Sequence, residues 1–428
     1  MLIVLEFLVR TFAGVTGQSD ELAAYQGRPT KATAYGLRFL DNNQQPYDGL
    51  PIKGQLAAKP SLVTGYKLIS KQQSEFWRIN EQGFRSDRPV PLAKPKGETR
   101  IFLLGGSTAF GQMSSNNQAT FANKLEASLN QQVAQQKRNP EKFRPDILPY
   151  YKEEVDRALA LPPRIRDGKY QVINAAVPGY ASGNELAQLA MQVLAYQPDM
   201  IMVVGGYRDL LLPSNEEGVS VPGAEALLED APRHFSTHLS QQLGNLVMQS
   251  YLVKGIQYWL IKPQPSVDEL SLVAASSDAP LAQQLPSDPK ELQRRADRYY
   301  NHLRQMARLA AAAKIPLIVA IQPEVTSRTG KNRAAEEAQI QQALGASYTQ
   351  RVKAGYSEME QAMLQVQQEF PKTVIALNLY NLYSNFPGQA FVDTIHLTDE
   401  ANTVLANRLY GAIAKLLNVP VQPNPAPY

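Results

Sequence analysis

The sequence predicts an α/β fold of three layers, α/β/α, around a mainly parallel five-stranded sheet. Three observations carry that expectation. Five short runs are apolar almost without a break: "RIFLL" (100–104), "YQVIN" (170–174), "DMIMVV" (199–204), "IPLIVAI" (315–321) and "KTVIAL" (372–377). Strands apolar on both faces suit a parallel sheet covered by helices on each side. Amphipathic stretches of helical period lie between them, an alternation that gives right-handed crossovers. Glycines follow the first three runs, at the carboxyl ends of the strands, where open α/β sheets bind ligands.

Size and composition narrow the classes. A chain of 428 residues holds one elaborated domain or two. Its boundaries are read as an N-terminal segment and irregular arm over 1–97, the α/β domain over 98–420 and a tail over 421–428. Two insertions interrupt the domain, at about 134–168 and 211–290. The 43 Lys and Arg against 39 Asp and Glu leave a net charge of +4, no signature of a nucleic-acid partner. A mean hydropathy of −0.31 argues against a multi-span membrane protein. With no cysteine, disulfides, thiolate catalysis and Cys-ligated zinc are excluded together.

Taken in order, the chain opens on "MLIVLEFLVRTF", an apolar run too short for the ~20 residues that cross a bilayer. It reads either as a helix packed on the body or as the tail end of an anchor that associates with a membrane. Residues 13–97 are rich in Gly, Pro, Gln and Tyr and read as an irregular, partly β arm. After the first strand, "TFANKLEASLNQQV" sets Phe121, Leu125 and Leu129 on one helical face. After the second, "SGNELAQLAMQVL" has Ser182 and Glu185 at capping-box spacing and a core stripe of Leu186, Leu189, Ala190 and Val193. A long polar helix is expected over roughly 332–369. The last helix opens at Thr398, with Asp399 and Glu400 in its first turn, where carboxylates favour the helix dipole, and buries Val404, Leu405, Leu409 and Ile413. The charged, proline-punctuated insertions are expected to form a cap beside the carboxyl edge of the sheet.

The first strand leaves through "GGSTAFG". This is neither a Walker A loop nor a dinucleotide fingerprint. It is either a tight turn or a device that presents Ser107 at the sheet edge. A serine nucleophile needs a histidine base oriented by a carboxylate. Of four histidines, His396 stands in "AFVDTIHLTDEAN", three residues after Asp393 and just ahead of the last helix. Asp-x-x-His at that place is either a capping feature or a base with its orienting acid. After the second strand, "NAAVPGYAS" puts Gly179 on a turn whose backbone N–H groups can face an anion. After the third comes "GGYRD", with Arg208 following Gly206 and Tyr207.

These blocks, in this order, resemble the SGNH (GDSL-like) hydrolases, a family with a flavodoxin-like sheet. "LLGGSTAFG", "NAAVPGYAS" and "FVDTIHLTDEAN" are similar to the family's nucleophile, second and last blocks. The upstream "INEQGFRSDRPVPLAKPKGETR" resembles the approach segment of a bacterial, exported or membrane-anchored branch. The resemblance spans residues ~78–417 and implies Ser107 as nucleophile, His396 as base and Asp393 as its orienting acid. The N–H groups of Ser107 and Gly179 would line the oxyanion hole. The family's Gly-x-Asn-Asp becomes "GGYRD", so Arg208 stands where an asparagine amide donates to the oxyanion. Arg208 either reaches into the site, where its charge could hold an anionic substrate or steady the oxyanion, or turns aside onto a nearby carboxylate. The second is expected, because a cation beside the base would oppose the imidazolium.

The implied activity is hydrolysis of short acyl esters, O-acetyl groups of carbohydrate among them, through an acyl-enzyme and without a cofactor. The implied location is extracytoplasmic, periplasmic or cell-surface. The same triad can pass an acyl group to a hydroxyl of an exported polysaccharide. A binding or assembly protein on the same fold is the reading that Arg208 and the insertions favour. His234 and His238 are four apart, yet a zinc site needs a third ligand that the sequence does not supply. His302 reads as a helix-surface residue. The tyrosines of "NLYNLYSNFP" (378–387) read as core packing or as the wall of a substrate groove.

Overall fold

The computed structural model describes residues 30–41, 45–46, 54–216, 280–330 and 332–424, with short pieces between 9 and 17. The first eight residues of the N-terminal run, and His234 and His238, lie outside the described residues. Among the described residues, no helix is long and apolar enough to cross a membrane.

The described part of the arm holds short regular elements. Helix α1 (Thr30–Tyr35) leads into a small sheet of β1 (Leu37–Phe39), β2 (Leu56–Ser61) and β3 (Gly65–Leu68), followed by a hairpin of β4 (Gln72–Gln73) and β5 (Arg78–Ile79). What fixes it is long-range bonding rather than local period. Arg85 is buried and donates to the Asn117 side chain, to the carbonyls of Phe110 and Gly111, and to Tyr35 Oη. Its guanidinium also lies 4.8 Å from the centroid of the Phe110 ring, a cation–π distance. The arm is thereby fastened to the turn that carries Ser107.

The five predicted strands are all present, as β6 (Glu98–Gly105), β7 (Lys169–Asn174), β8 (Met200–Gly205), β9 (Leu317–Ile321) and β10 (Val374–Asn378). They pair in the order β10-β9-β8-β6-β7, every neighbour parallel. The register aligns their carboxyl ends: Gly105 pairs with Val204, Gly205 with Ile321 and Ile321 with Asn378. Loops leaving four of the strands therefore emerge side by side at one edge.

Alternate strand residues feed two separate cores. Ile101 and Leu103 pack with α3 (Phe121–Arg138), which follows the short α2 (Ser107–Phe110), and with the C-terminal helix Asp399–Leu417. Phe102 and Leu104 face the other layer, built from helices Ser182–Met191, Pro289–Ala313 and Ala335–Glu369. In chain order the remaining helices are α4 (Lys152–Ala160), α5 (Ser182–Met191), α6 (Tyr207–Leu211), α7 (Leu281–Gln284), α8 (Pro289–Ala313), α9 (Ala335–Glu369) and α10 (Asp399–Leu417). A three-layer α/β/α domain results.

Local signals mostly hold. Thr120 caps α3 and Thr398 caps α10, each side-chain oxygen accepting from the N–H three residues on. The predicted box in α5 is different: Asn184 Oδ1 accepts from Ala181 N, while the Ser182 hydroxyl donates to Asp209. Within its stripe Leu189 and Val193 are buried, Leu186 is half-buried and Ala190 is exposed; the helix stops at Met191, so Val193 is buried from the 3₁₀ turn that follows.

The first insertion is not beside the carboxyl edge. Ile147 bridges Gln422 and Ile165 bridges Asn418, past the end of α10 and just ahead of β7. It covers the amino edge, where α3 and α10 end. Residues 217–279 of the second insertion lie outside the described residues.

Candidate active site

The turn that carries Ser107 is shaped by two close approaches. Gly105 has φ +148°, and a Cβ there would meet the Val204 carbonyl oxygen at 2.3 Å. At Gly106 a Cβ would lie 3.0 Å from the Tyr180 carbonyl. The strand end and the 177–180 loop are thus pressed together, with Val177 N–H donating to Gly105 O at 3.0 Å. Ser107, 5% exposed, begins α2 from this platform.

Asp393 and His396 share one loop. Asp393 Oδ2 lies 2.5 Å from His396 Nδ1, while Asp393 Oδ1 accepts the backbone N–H groups of Ile395 and His396 at 2.9 and 2.7 Å. A carboxylate only accepts, so Nδ1 is the ring nitrogen that donates to Asp393. Nε2 is buried and has no hydrogen-bond partner among the described residues, Ser107 Oγ included.

Two supports hold this loop. Arg328 and Glu337 form an ion pair with both side chains fully buried, Nε to Oε2 at 2.8 Å. Glu337 Oε1 also accepts from Ala390 N and Phe391 N, and Arg328 donates to the carbonyls of Tyr383 and Gly388. Removing one partner of a buried pair of this kind costs ~3–5 kcal/mol. The second support is Thr108, whose hydroxyl meets the Ile395 carbonyl and the Gln322 amide. Tyr383 is fully buried and donates to Ala401 O, so it is core, not groove wall.

A small cleft with about 10 Å³ of free volume opens onto Ser107, lined also by Gly106, Gly179, Tyr180, Gly206 and Arg208. The N–H groups of Ser107 and Gly179 donate to no described protein group. Thus the sequence-predicted Ser107, Gly179 and Arg208 share one pocket, and Asp393 and His396 stand on the loop that supplies Ile395 to its wall.

Arg208 departs from expectation. It does not turn onto a carboxylate; among the described residues it makes no ion pair, and its buried Nη1 has no hydrogen-bond partner. The adjacent Asp209 is already committed, accepting from Ser182 N at 3.2 Å and from Ser182 Oγ at 2.5 Å. Nor is His302 a plain surface residue: half-buried, its Nδ1 lies 2.8 Å from Ser182 Oγ. Burial, reinforced by the charge of Asp209, raises the Glu185 carboxyl well above its usual range. Asp209 thereby ties the start of α5, and with it the Gly179 turn, to the Arg208 segment.

Sequence reasoning missed Thr108, Gln322 and Glu324. Burial pushes the Glu324 carboxyl up to about 7, against hydrogen bonds from Thr326 and Tyr348 that lower it. A lone "QPE" after a strand carries no period or spacing to find it by. Among the described residues, no cluster of three or more His, Asp or Glu is placed to hold a metal.

Comparison with known proteins follows the geometry. The GDSL-like lipase/acylhydrolase family model matches residues 101–409. Solved structures similar to the chain include a lipase/acylhydrolase from Enterococcus faecalis, 12% identical, covering 75% of this chain and 98% of that one, with a TM-score of 0.36. Another is a catalytic mutant of an acetylxylan esterase from Geobacillus stearothermophilus, 10% identical, covering 74% and 94%, with a TM-score of 0.34. No curated protein matches the sequence. By the span of its family match, and with the ordered blocks and parallel sheet already described, the chain belongs to the GDSL-like lipase/acylhydrolase family.

Proposed function

We propose that the protein hydrolyses short acyl esters through an acyl-enzyme on Ser107. The observation that carries this reading is His396: its Nδ1 is held by Asp393 and its buried Nε2 is left unclaimed. In the proposed reaction Ser107 Oγ attacks the ester carbonyl carbon and its proton passes to Nε2. The tetrahedral oxyanion is received by the N–H groups of Ser107 and Gly179, a donor of this kind being worth ~3 kcal/mol in the transition state. Collapse breaks the C–O bond, and the imidazolium returns its proton to the departing alcohol. Water then repeats the steps on the acyl-enzyme and releases the acid. O-acetyl groups of carbohydrate are the substrates to test first, and the enzyme is assigned to the outside of the cytoplasm on the strength of the upstream block and the apolar start.

The test is a fluorophosphonate probe followed by peptide mapping, with release of acetate from 4-nitrophenyl acetate and from an acetylated polysaccharide. Modification at Ser107 with acetate release supports the reading. A chain that hydrolyses no ester and leaves Ser107 unmodified refutes it. Loss of the acyl donor without free acid, dependent on an added hydroxyl acceptor, would make the enzyme a transferase.

A further inference from the structure

Arg208 differs from every other buried arginine described in this fold. Arg85 and Arg328 are saturated with hydrogen bonds, Arg100 pairs with Glu98, Arg295 pairs with Glu291, and Arg298, though its Nε too lacks a partner, donates to four backbone carbonyls, whereas Arg208 bonds to no described residue. Arg208 is 9% exposed, its Nη1 is enclosed without a partner, and what surface it keeps lines the pocket with Ser107.

The groups nearest in charge do not neutralise it. Burial lowers its affinity for a proton, while Tyr66, Glu216, Asp209 and Tyr207 act on it only through space. Tyr66 Oη donates to Pro178 O, Asp209 accepts from Ser182, and Tyr207 Oη is bonded to Tyr348 Oη. Among the described residues the two carboxylates that act on it, Glu216 and Asp209, form no ion pair with it, and a desolvated cation held in this way gains when a ligand delivers an anion in direct contact. A guanidinium is suited to that task, being always charged and presenting a fork that matches a planar oxyanion at two points.

We propose that Arg208 selects anionic esters, substrates that carry a carboxylate or sulfate group close to the scissile bond. The inference rests on the reading of Ser107 as the nucleophile and adds the substrate class to it.

The experiment compares the full chain with its Arg208→Gln and Arg208→Lys variants on esters differing in charge. 4-Nitrophenyl acetate is set against mono-4-nitrophenyl succinate, with the anion on the acyl side, and phenyl acetate against 4-acetoxybenzoate and 4-acetoxybenzenesulfonate, with the anion on the alcohol side. The expected result is a preference in kcat/KM for one anionic ester over its neutral counterpart. That ratio should collapse roughly 10- to 100-fold in Arg208→Gln, as loss of a charged hydrogen bond does, and return in part in Arg208→Lys. The carboxylate and sulfonate arms separate the two anions. Equal rates on neutral and anionic esters in the wild type would overturn the inference, and so would an equal fall on both in Arg208→Gln, which marks an oxyanion donor. Calorimetric binding of succinate, present in the wild type and lost in Arg208→Gln, reads the contact without turnover, and its absence counts against the inference. Failure of the esterase reading looks different: Ser107 stays unmodified by fluorophosphonate and no ester of either charge is cleaved.

Discussion

Thr108 Oγ1 donates to the backbone carbonyl of Ile395 at 3.2 Å, joining the residue after Ser107 to the residue before His396 across 287 positions of sequence. The same hydroxyl accepts from Gln322 Nε2 at 2.9 Å. Ser107 and His396 stand on separate loops, and this contact fixes how those loops meet. Thr108 does not itself line the pocket but bonds to Ile395 and Gln322, which do, so it acts as a positioning residue.

Thr108→Val keeps the shape and removes the hydroxyl, leaving an amide and a carbonyl buried without partners. Stability should fall by ~1–3 kcal/mol. Misplacement of the base should lower kcat about 10- to 100-fold with KM little changed. Thr108→Ser should recover most of the loss. A valine variant with lower Tm but wild-type kcat would reduce the contact to a structural one.

Ser107→Ala and His396→Ala should each abolish hydrolysis of small 4-nitrophenyl esters, and the double variant should lose little more, since members of a triad act as a unit. Asp393→Asn puts an amide where Oδ2 faces Nδ1 and favours the wrong tautomer, a change that costs ~10⁴-fold in kcat in a Ser-His-Asp enzyme. Wild-type turnover in Ser107→Ala, with the fold intact by circular dichroism, would reject the assignment.

Much of this site could be read from the sequence because its parts are local. Gly-Gly-Ser, Pro-Gly and Asp-x-x-His each lie within a few residues, and the parallel register then carries them to one edge. What could not be read depends on partners far along the chain. Ser182 carries the spacing of a helix cap, yet its hydroxyl is taken by Asp209, 27 residues later. The arm has no strong period, and its order comes from Arg85, whose bonds reach from Tyr35 to Asn117. Arg208 was visible as an exception, but whether a carboxylate was free to receive it depended on that same Ser182.

The start of the chain carries a separate prediction. If residues 2–9 associate with a membrane, the native product should sediment with membranes and be released by detergent rather than by salt, since apolar burial is insensitive to ionic screening. A native product found in the soluble fraction, or freed by salt alone, would remove the membrane association.

Glu324 gives the last prediction, one of pH. Its Oε2 accepts from Thr326 N at 2.7 Å, its Oε1 accepts from Tyr348 Oη at 3.1 Å, and Tyr348 meets Tyr207 in the wall of the pocket. Burial raises its pKa from the ordinary 4.5 to about 7. The folded protein therefore keeps this proton over a range in which the unfolded chain has released it. Stability must fall as pH rises from about 4.5 to about 7 and level off above, by up to ~3 kcal/mol from this group. Glu324→Gln can place its oxygen where Oε2 accepts and its amide toward Tyr348, with no proton to lose. Other groups titrate alike in both proteins, so the difference between their unfolding free energies isolates Glu324. That difference should be near zero below pH 4.5 and should favour the glutamine variant increasingly up to pH 7. Denaturant unfolding at half-unit steps reads it directly, and parallel curves across the range would show that Glu324 is ionised in the folded protein throughout.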